Sequence, residues 1–186
     1  MRLLRSLSLT NGMHTLATPC SARKSRGLFS SLLMTLLLCL ALAYSPVFAA
    51  PSEPPAPSTK DKCPVCGMFV SKYPDWVTTV TFKYSSVIYF DGVKDFFTYY
   101  HNMQKYTPEK IQAGISSIIV KDYYTLKPVD ARKASFVIGS DVYGPMGKEL
   151  VPFEKLADAY AFLKDHKGKM VLRFSDVNPR VLKSLE

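Results

Sequence analysis

Acidic side chains are missing from the first fifty residues, where Arg2, Arg5, Arg23, Lys24 and Arg26 are the only charged groups. Also missing is an uninterrupted apolar stretch of about 20 residues, the length a membrane-spanning helix requires. The main apolar run covers residues 28–43 and gives way to Ser45-Pro46 and then Val47-Phe48-Ala49-Ala50. A basic start, a short apolar core and small residues at its end predict a secretory signal over residues 1–49, cleaved near Ala49. Retention of that segment as a membrane anchor stays open, as does a start at Met13. Cys39 follows Leu38, where a lipid-attachment site carries a small residue, so cleavage rather than lipidation is expected there.

Cysteine and histidine are scarce, four and three in the whole chain. Cys20 and Cys39 leave with the signal, so only Cys63 and Cys66 remain beyond it. The chain has no Gly-x-Ser-x-Gly, no P-loop and no dinucleotide fingerprint, and nothing in it argues for an enzyme. Five of the 24 basic side chains and none of the 15 acidic ones precede residue 50, which leaves a formal excess of four positive charges in the remainder. That excess is spread along the chain without a basic-aromatic cluster, so nucleic acid is not an expected partner.

What is present begins with residues 50–61, a proline-rich linker with an extended backbone and little to bury. The folded part follows over residues 62–178. β-Branched and aromatic residues predict strands at 76–84 and 87–90, with Ser85-Ser86 between them. Asp91 is expected to cap a helix over 92–102, whose Val93, Phe96, Phe97 and Tyr100 share one face. Residues 108–114 read as a helical piece or loop, and 115–124 as a strand. The second half runs through a strand at 135–138, a Gly/Pro-rich loop at 143–147, an apolar segment at 150–153, a helix at 154–166 closed by Gly168, and a strand at 170–174. Setting Phe90 against Phe153 aligns Asp95 with Asp158 and Phe97 with Tyr160. An α+β fold of two similar ββαβ halves, about 62–125 and 126–178, is therefore expected, with 179–186 as a tail.

Cys63-Pro64-Val65-Cys66-Gly67-Met68 carries the sharpest chemistry. A two-residue spacer lets both thiolates face one ion from a tight knuckle, and Met68 adds a thioether. Thiolate and thioether together select a soft ion, Cu(I) above all. Two other uses of the cysteines stay open. One is a thiol–disulfide couple, although no strand precedes the pair as in a βαβ redox motif. The other is a structural disulfide, although so small a loop gains little from closure. Zinc in four ligands would need a second Cys/His pair, and His101 and His166 stand isolated. Both histidines suit helix C-termini and are read there as dipole partners. Met146, within Gly144-Pro145-Met146-Gly147, is a second thioether candidate; Met103 and Met170 read as core. Asp91, Asp95 and Asp122 make no paired acid/base arrangement.

The Cys63–Met68 knuckle resembles that of the NosL family, accessory proteins of nitrous oxide reductase maturation. So do Ile88-Tyr-Phe-Asp91, Val120-Lys-Asp-Tyr-Tyr124, and Val137-Ile-Gly-Ser-Asp141 followed by Gly144-Pro-Met-Gly147. The resemblance runs from Lys62 to Val177. It implies a fold of two ββαβ halves, related to part of the organomercurial lyase fold, without lyase activity. It also implies a periplasmic Cu(I) chaperone that passes copper to nitrous oxide reductase or its maturation complex. By matching motifs, Cys63, Cys66 and Met68 take the metal-binding role, with Met146 as a further ligand. Members are commonly lipoproteins, and the sequence before Cys39 departs from that pattern.

Overall fold

Each half of the chain places its first strand in the middle of a sheet, flanked by its second strand and by the strand that follows its helix. In the first half, β1 (Thr78–Phe82) pairs antiparallel with β2 (Val87–Phe90) and β3 (Ile115–Lys121). In the second, β5 (Ser135–Ile138) pairs antiparallel with β8 (Val151–Phe153) and β9 (Met170–Arg173). Helix α1 (Val93–His101) stands between β2 and β3, and α3 (Leu156–Asp165) between β8 and β9. The ββαβ repeat expected from the sequence is thus present in the strand order, β2-β1-β3 in one sheet and β8-β5-β9 in the other. The computed structural model describes residues 54–84 and 86–186. The signal segment, Cys39, Ser85 and the first linker residues lie outside the described residues.

The boundary between the halves falls later than residue 125. Strand β4 (Pro128–Asp130) joins the first sheet through β3, with Val120 opposite Val129. Asp122 turns the chain there: its Oδ1 accepts hydrogen bonds from the amides of Tyr124 and Thr125. Those captured amides are why β3 stops at Lys121 instead of continuing to 124. Asp122 Oδ2 also accepts from the Glu154 amide, 2.8 Å away, which ties the turn to the approach of α3.

All of β5 is buried, and its side chains alternate between two clusters as a pleated strand requires. Phe136 and Ile138 join the larger core, with Phe97 and Phe96 of α1. Val137 faces the other way, into a smaller cluster with Val151, Phe153, Ala159 and Phe162 beneath α3. The Phe136 ring meets Phe97 edge-on at 5.5 Å between centroids. Strand β5 is therefore buried on both faces and fastens the halves together. Burying side chains of this size contributes about 1.5–3 kcal/mol each.

Two ends of the domain differ from the sequence reading. Residues 179–186 are not a free tail: Pro179–Lys183 form α4, and Leu182 and Leu185 are buried in the larger core. Asn178 starts that helix, its side-chain oxygen accepting from the amides of Arg180 and Val181. Pro54–Pro57, assigned to the linker, line an apolar cleft together with Pro74, Val77 and Ile119. Tyr89 donates its hydroxyl to the Pro55 carbonyl at 2.9 Å. Proline rings are apolar, so this stretch does have something to bury. Met170, read as core, is half exposed at 51%: it shares the face of buried Leu172 but is the first residue of β9, opposite the last residue of β5. Met103 is buried in α2 (Met103–Tyr106), as expected.

Candidate metal centre

The knuckle is closed by its own backbone. Cys63 donates its amide to the Met68 carbonyl and accepts at its own carbonyl from the Gly67 amide, both at 2.9 Å. Lys62 and Phe69 bridge antiparallel just outside, and the Val70 amide reaches back to the Asp61 carbonyl. Gly67 holds φ at +78°, and a Cβ added there would touch nothing within 4 Å. Its requirement is therefore conformational, the left-handed turn that glycine adopts without penalty.

Two carboxylates of the β2–α1 segment meet the thiols. Cys63 Sγ is 3.3 Å from Asp95 Oδ2, and Cys66 Sγ is 3.3 and 3.4 Å from the Asp91 oxygens. One ligand atom from each of these four residues lies within 4.8 Å of all the others. Cys63, Asp91 and Asp95 are buried and Cys66 is partly so. The cysteines are free thiols, not a disulfide. Asp91 thus does something other than the helix capping expected of it. Gly92 occupies the cap position in extended conformation, and the Asp91 carboxylate faces Cys66. Asp91 and Asp95 stand four residues apart, a spacing that puts both on one side of the helix start.

Burial governs the protonation of the cluster. It pushes the Cys63 thiol far above the ordinary range, and a hydrogen bond with Asp91 and the charge of Asp95 push in the same direction. Cys66 is pushed up to about 12, by burial first and then by Asp95. Asp95 is itself raised by burial, offset in part by the hydrogen bonds it accepts from Cys66 and Cys63. Both carboxylates act on both thiols, so the empty-handed form of the cluster is a pair of protonated thiols donating to carboxylates. Softness of the sulfurs suits a soft cation, which would replace those protons.

Met68 lies two residues past Cys66, half-buried, with its carbonyl closing the knuckle. Met146 comes from the other half. Strands β6 (Tyr143–Gly144) and β7 (Gly147–Lys148) form a hairpin with Pro145 and Met146 at its tip. The Met146 side chain is 42% exposed, and its carbonyl accepts from Lys94 Nζ at 2.7 Å. Through that bond the hairpin tip is tied to Lys94, in the first turn of α1. The histidines are engaged elsewhere. His101 donates from Nε2 to the Val177 carbonyl at 2.7 Å, and His166 Nδ1 sits 3.1 Å from Asp141 while its ring stacks on Phe162.

One buried acid adjoins the centre that sequence reasoning passed over. Glu149 accepts from the amides of Lys94 and Leu150, and burial pushes it up to about 8 against the pull of those two donors. Asp95 could have been suspected from a carboxylate set among Val93, Phe96 and Phe97. For Glu149 the signal was a charge directly before the apolar run Leu150-Val151-Pro152-Phe153.

The NosL family model matches residues 54–182. The chain is 28% identical over 138 residues to the copper-binding lipoprotein NosL of Stutzerimonas stutzeri, covering 70% of this chain and 68% of that protein. It is similar to the crystal structure of the copper chaperone NosL from Shewanella denitrificans, with a TM-score of 0.58 and 26% identity, over 70% of this chain and 99% of that one. The solution structure of apo-NosL from Achromobacter cycloclastes matches over 56% of this chain and 87% of that one, at 27% identity and a TM-score of 0.42. Since the family model takes in both halves of the fold, the knuckle and the Met146 hairpin, this chain belongs to the NosL family.

Proposed function

We propose that the chain is a Cu(I) chaperone, a binding protein without turnover, that carries copper as cargo to a copper-accepting protein. By the family resemblance the acceptor is nitrous oxide reductase or its maturation complex. The observation that carries the proposal is the convergence of Cys63, Cys66, Asp91 and Asp95 within 4.8 Å. Cys63 and Cys66 supply thiolate, Met68 and Met146 thioether, and a d10 ion with two or three soft ligands is content in such a set. Asp91 and Asp95 are hard donors and serve the protons instead. As the ion enters, each thiol gives up its proton toward the carboxylate beside it, and the S–H bond is replaced by S–Cu. Release is a ligand exchange, in which a sulfur or imidazole of the acceptor attacks before the cysteines let go.

The raised thiols argue against a thiol–disulfide oxidoreductase. Such enzymes lower a cysteine pKa to make an attacking thiolate, and here burial and two carboxylates do the reverse. Residues 1–49 are proposed to direct export, leaving the domain periplasmic or secreted; a membrane tether is consistent with the Stutzerimonas relative's being a lipoprotein. No helix among the described residues is long and apolar enough to cross a membrane.

A competition titration with Cu(I) under reducing, oxygen-free conditions tests the proposal. Tight one-to-one binding that the Cys63→Ser/Cys66→Ser double variant loses is the expected result. Binding that is weak and unchanged in that variant would overturn it.

A further inference from the structure

The Glu149 side chain is buried at the junction of the two halves and, among the described residues, has no carboxylate–cation ion pair. Its Oε1 accepts from the Lys94 amide on α1 and from its own neighbour's amide at Leu150. The first of these is an orphan donor of the helix N-terminus, so α1 is capped from the opposite half of the molecule. Two glycines make room for the side chain. A Cβ at Gly92 would strike Oε2, and a Cβ at Gly144 would sit 2.9 Å from Glu149 Cγ. Gly92 lies between Asp91 and the helix; Gly144 opens the turn that carries Met146. Lys94 completes the junction from its side, its ammonium reaching the Met146 carbonyl.

We propose that Glu149 is a positioning residue which, clasped with Lys94, fixes the Met146 hairpin against the α1 turn that bears Asp91 and Asp95. The metal centre is then assembled across the two halves: one contributes thiols and carboxylates, the other a thioether held at a set place. This rests on the reading that Met146 is a copper ligand. The clasp acts through geometry, because what the two amides need is an acceptor oxygen and the glycines admit only a slim side chain. An amide of the same shape supplies both.

The test is a Cu(I) affinity cycle on the purified protein with Glu149→Ala, Glu149→Gln, Met146→Leu and the Glu149→Ala/Met146→Leu double variant. Loss of an outer-shell partner typically lowers metal affinity about 10- to 100-fold, and Glu149→Ala is expected to fall in that range. Glu149→Gln should bind nearly as the parent does, and Glu149→Ala should cost nothing further once Met146 is leucine. Equal losses from Glu149→Ala in both backgrounds would overturn the clasp, and so would a Glu149→Gln variant as weak as Glu149→Ala. An unchanged affinity in Met146→Leu would instead sink the ligand reading on which the clasp stands. Should Glu149→Ala fail to fold, Lys94→Met replaces it in the cycle: it removes the ammonium from a half-buried position and should lose affinity only when Met146 is present. A Lys94→Met protein that binds as tightly as the parent would overturn the proposal.

Discussion

Cys63 Sγ and Asp95 Oδ2 lie 3.3 Å apart across 32 residues of chain, both buried. A thiol held against a carboxylate in an apolar setting keeps its proton, since losing it would place two negative charges side by side. Asp95→Asn removes one of those charges. The thiols of Cys63 and Cys66 should then ionise at lower pH, while burial still keeps them above the ordinary cysteine value. Rates of alkylation followed against pH read this directly. An Asp95→Asn curve that overlays the parent would show that the carboxylate has no hold on the thiols.

Ligand and bystander side chains should separate cleanly in the Cu(I) titration. Either Cys63→Ser or Cys66→Ser is expected to lower affinity by more than the about 10- to 100-fold of an outer-shell change. His101→Ala and His166→Ala should leave it unaltered, because their rings are committed to Val177 and Phe162. Met146→Leu should weaken binding while shifting stability by less than about 0.5 kcal/mol, as expected of an exposed side chain. A histidine variant that bound as poorly as a cysteine variant would require a different ligand set.

Stability without metal should fall as pH rises through the neutral range. Glu149 is raised from 4.5 to about 8, so between those values the folded protein holds a proton that the unfolded chain has lost. Stability therefore decreases with pH over that window, by an amount on the order of 5 kcal/mol if this group acted alone. Lys94 opposes the shift and Asp95 reinforces it, and Asp95, raised as well, adds a slope of the same sign. Urea unfolding at pH 5 and pH 8 should show the higher midpoint at pH 5. Glu149→Gln should flatten most of the difference and leave the part due to Asp95. A parent protein equally stable at both values would contradict the burial of an uncompensated acid.

The C-terminal helix offers a simpler check. Asn178→Ala removes the acceptor for the amides of Arg180 and Val181 and should cost about 1 kcal/mol. Thermal unfolding measures it. Leu182→Ala should cost more, since it empties a place in the larger core, at about 2–5 kcal/mol for a buried leucine. Were both variants as stable as the parent, α4 would not be an integral part of the fold.

Local chemistry was legible in the sequence and long-range chemistry was not. The knuckle announced itself because two cysteines, a glycine and a methionine act within six residues. The repeat was visible because Phe90 ends β2 and Phe153 ends β8, so aligning them sets α1 against α3 in register. Asp91 misled, since an acid just before an amphipathic helix ordinarily serves its free amides. Here that service comes partly from Glu149, 55 residues further along from Lys94, and no spacing rule spans such a distance. Asp95 was hidden by the same circumstance: its partner Cys63 lies outside any window that periodicity can survey. The last helix escaped notice because its five residues complete little more than one turn.

The two-sided burial of β5 bears on how cargo leaves. A clamshell chaperone unloads by swinging its halves apart, and that motion here would drag Phe136 and Ile138 from the larger core into water. Each exposed side chain would cost about 1.5–3 kcal/mol before any copper moved. The halves are thus welded along that strand, while the hairpin tip at Met146 is exposed to solvent. If Met146 is a ligand, as proposed, its thioether is a latch on a rigid frame: an acceptor could displace it first and then take the ion from the cysteines, without unfolding or opening its donor.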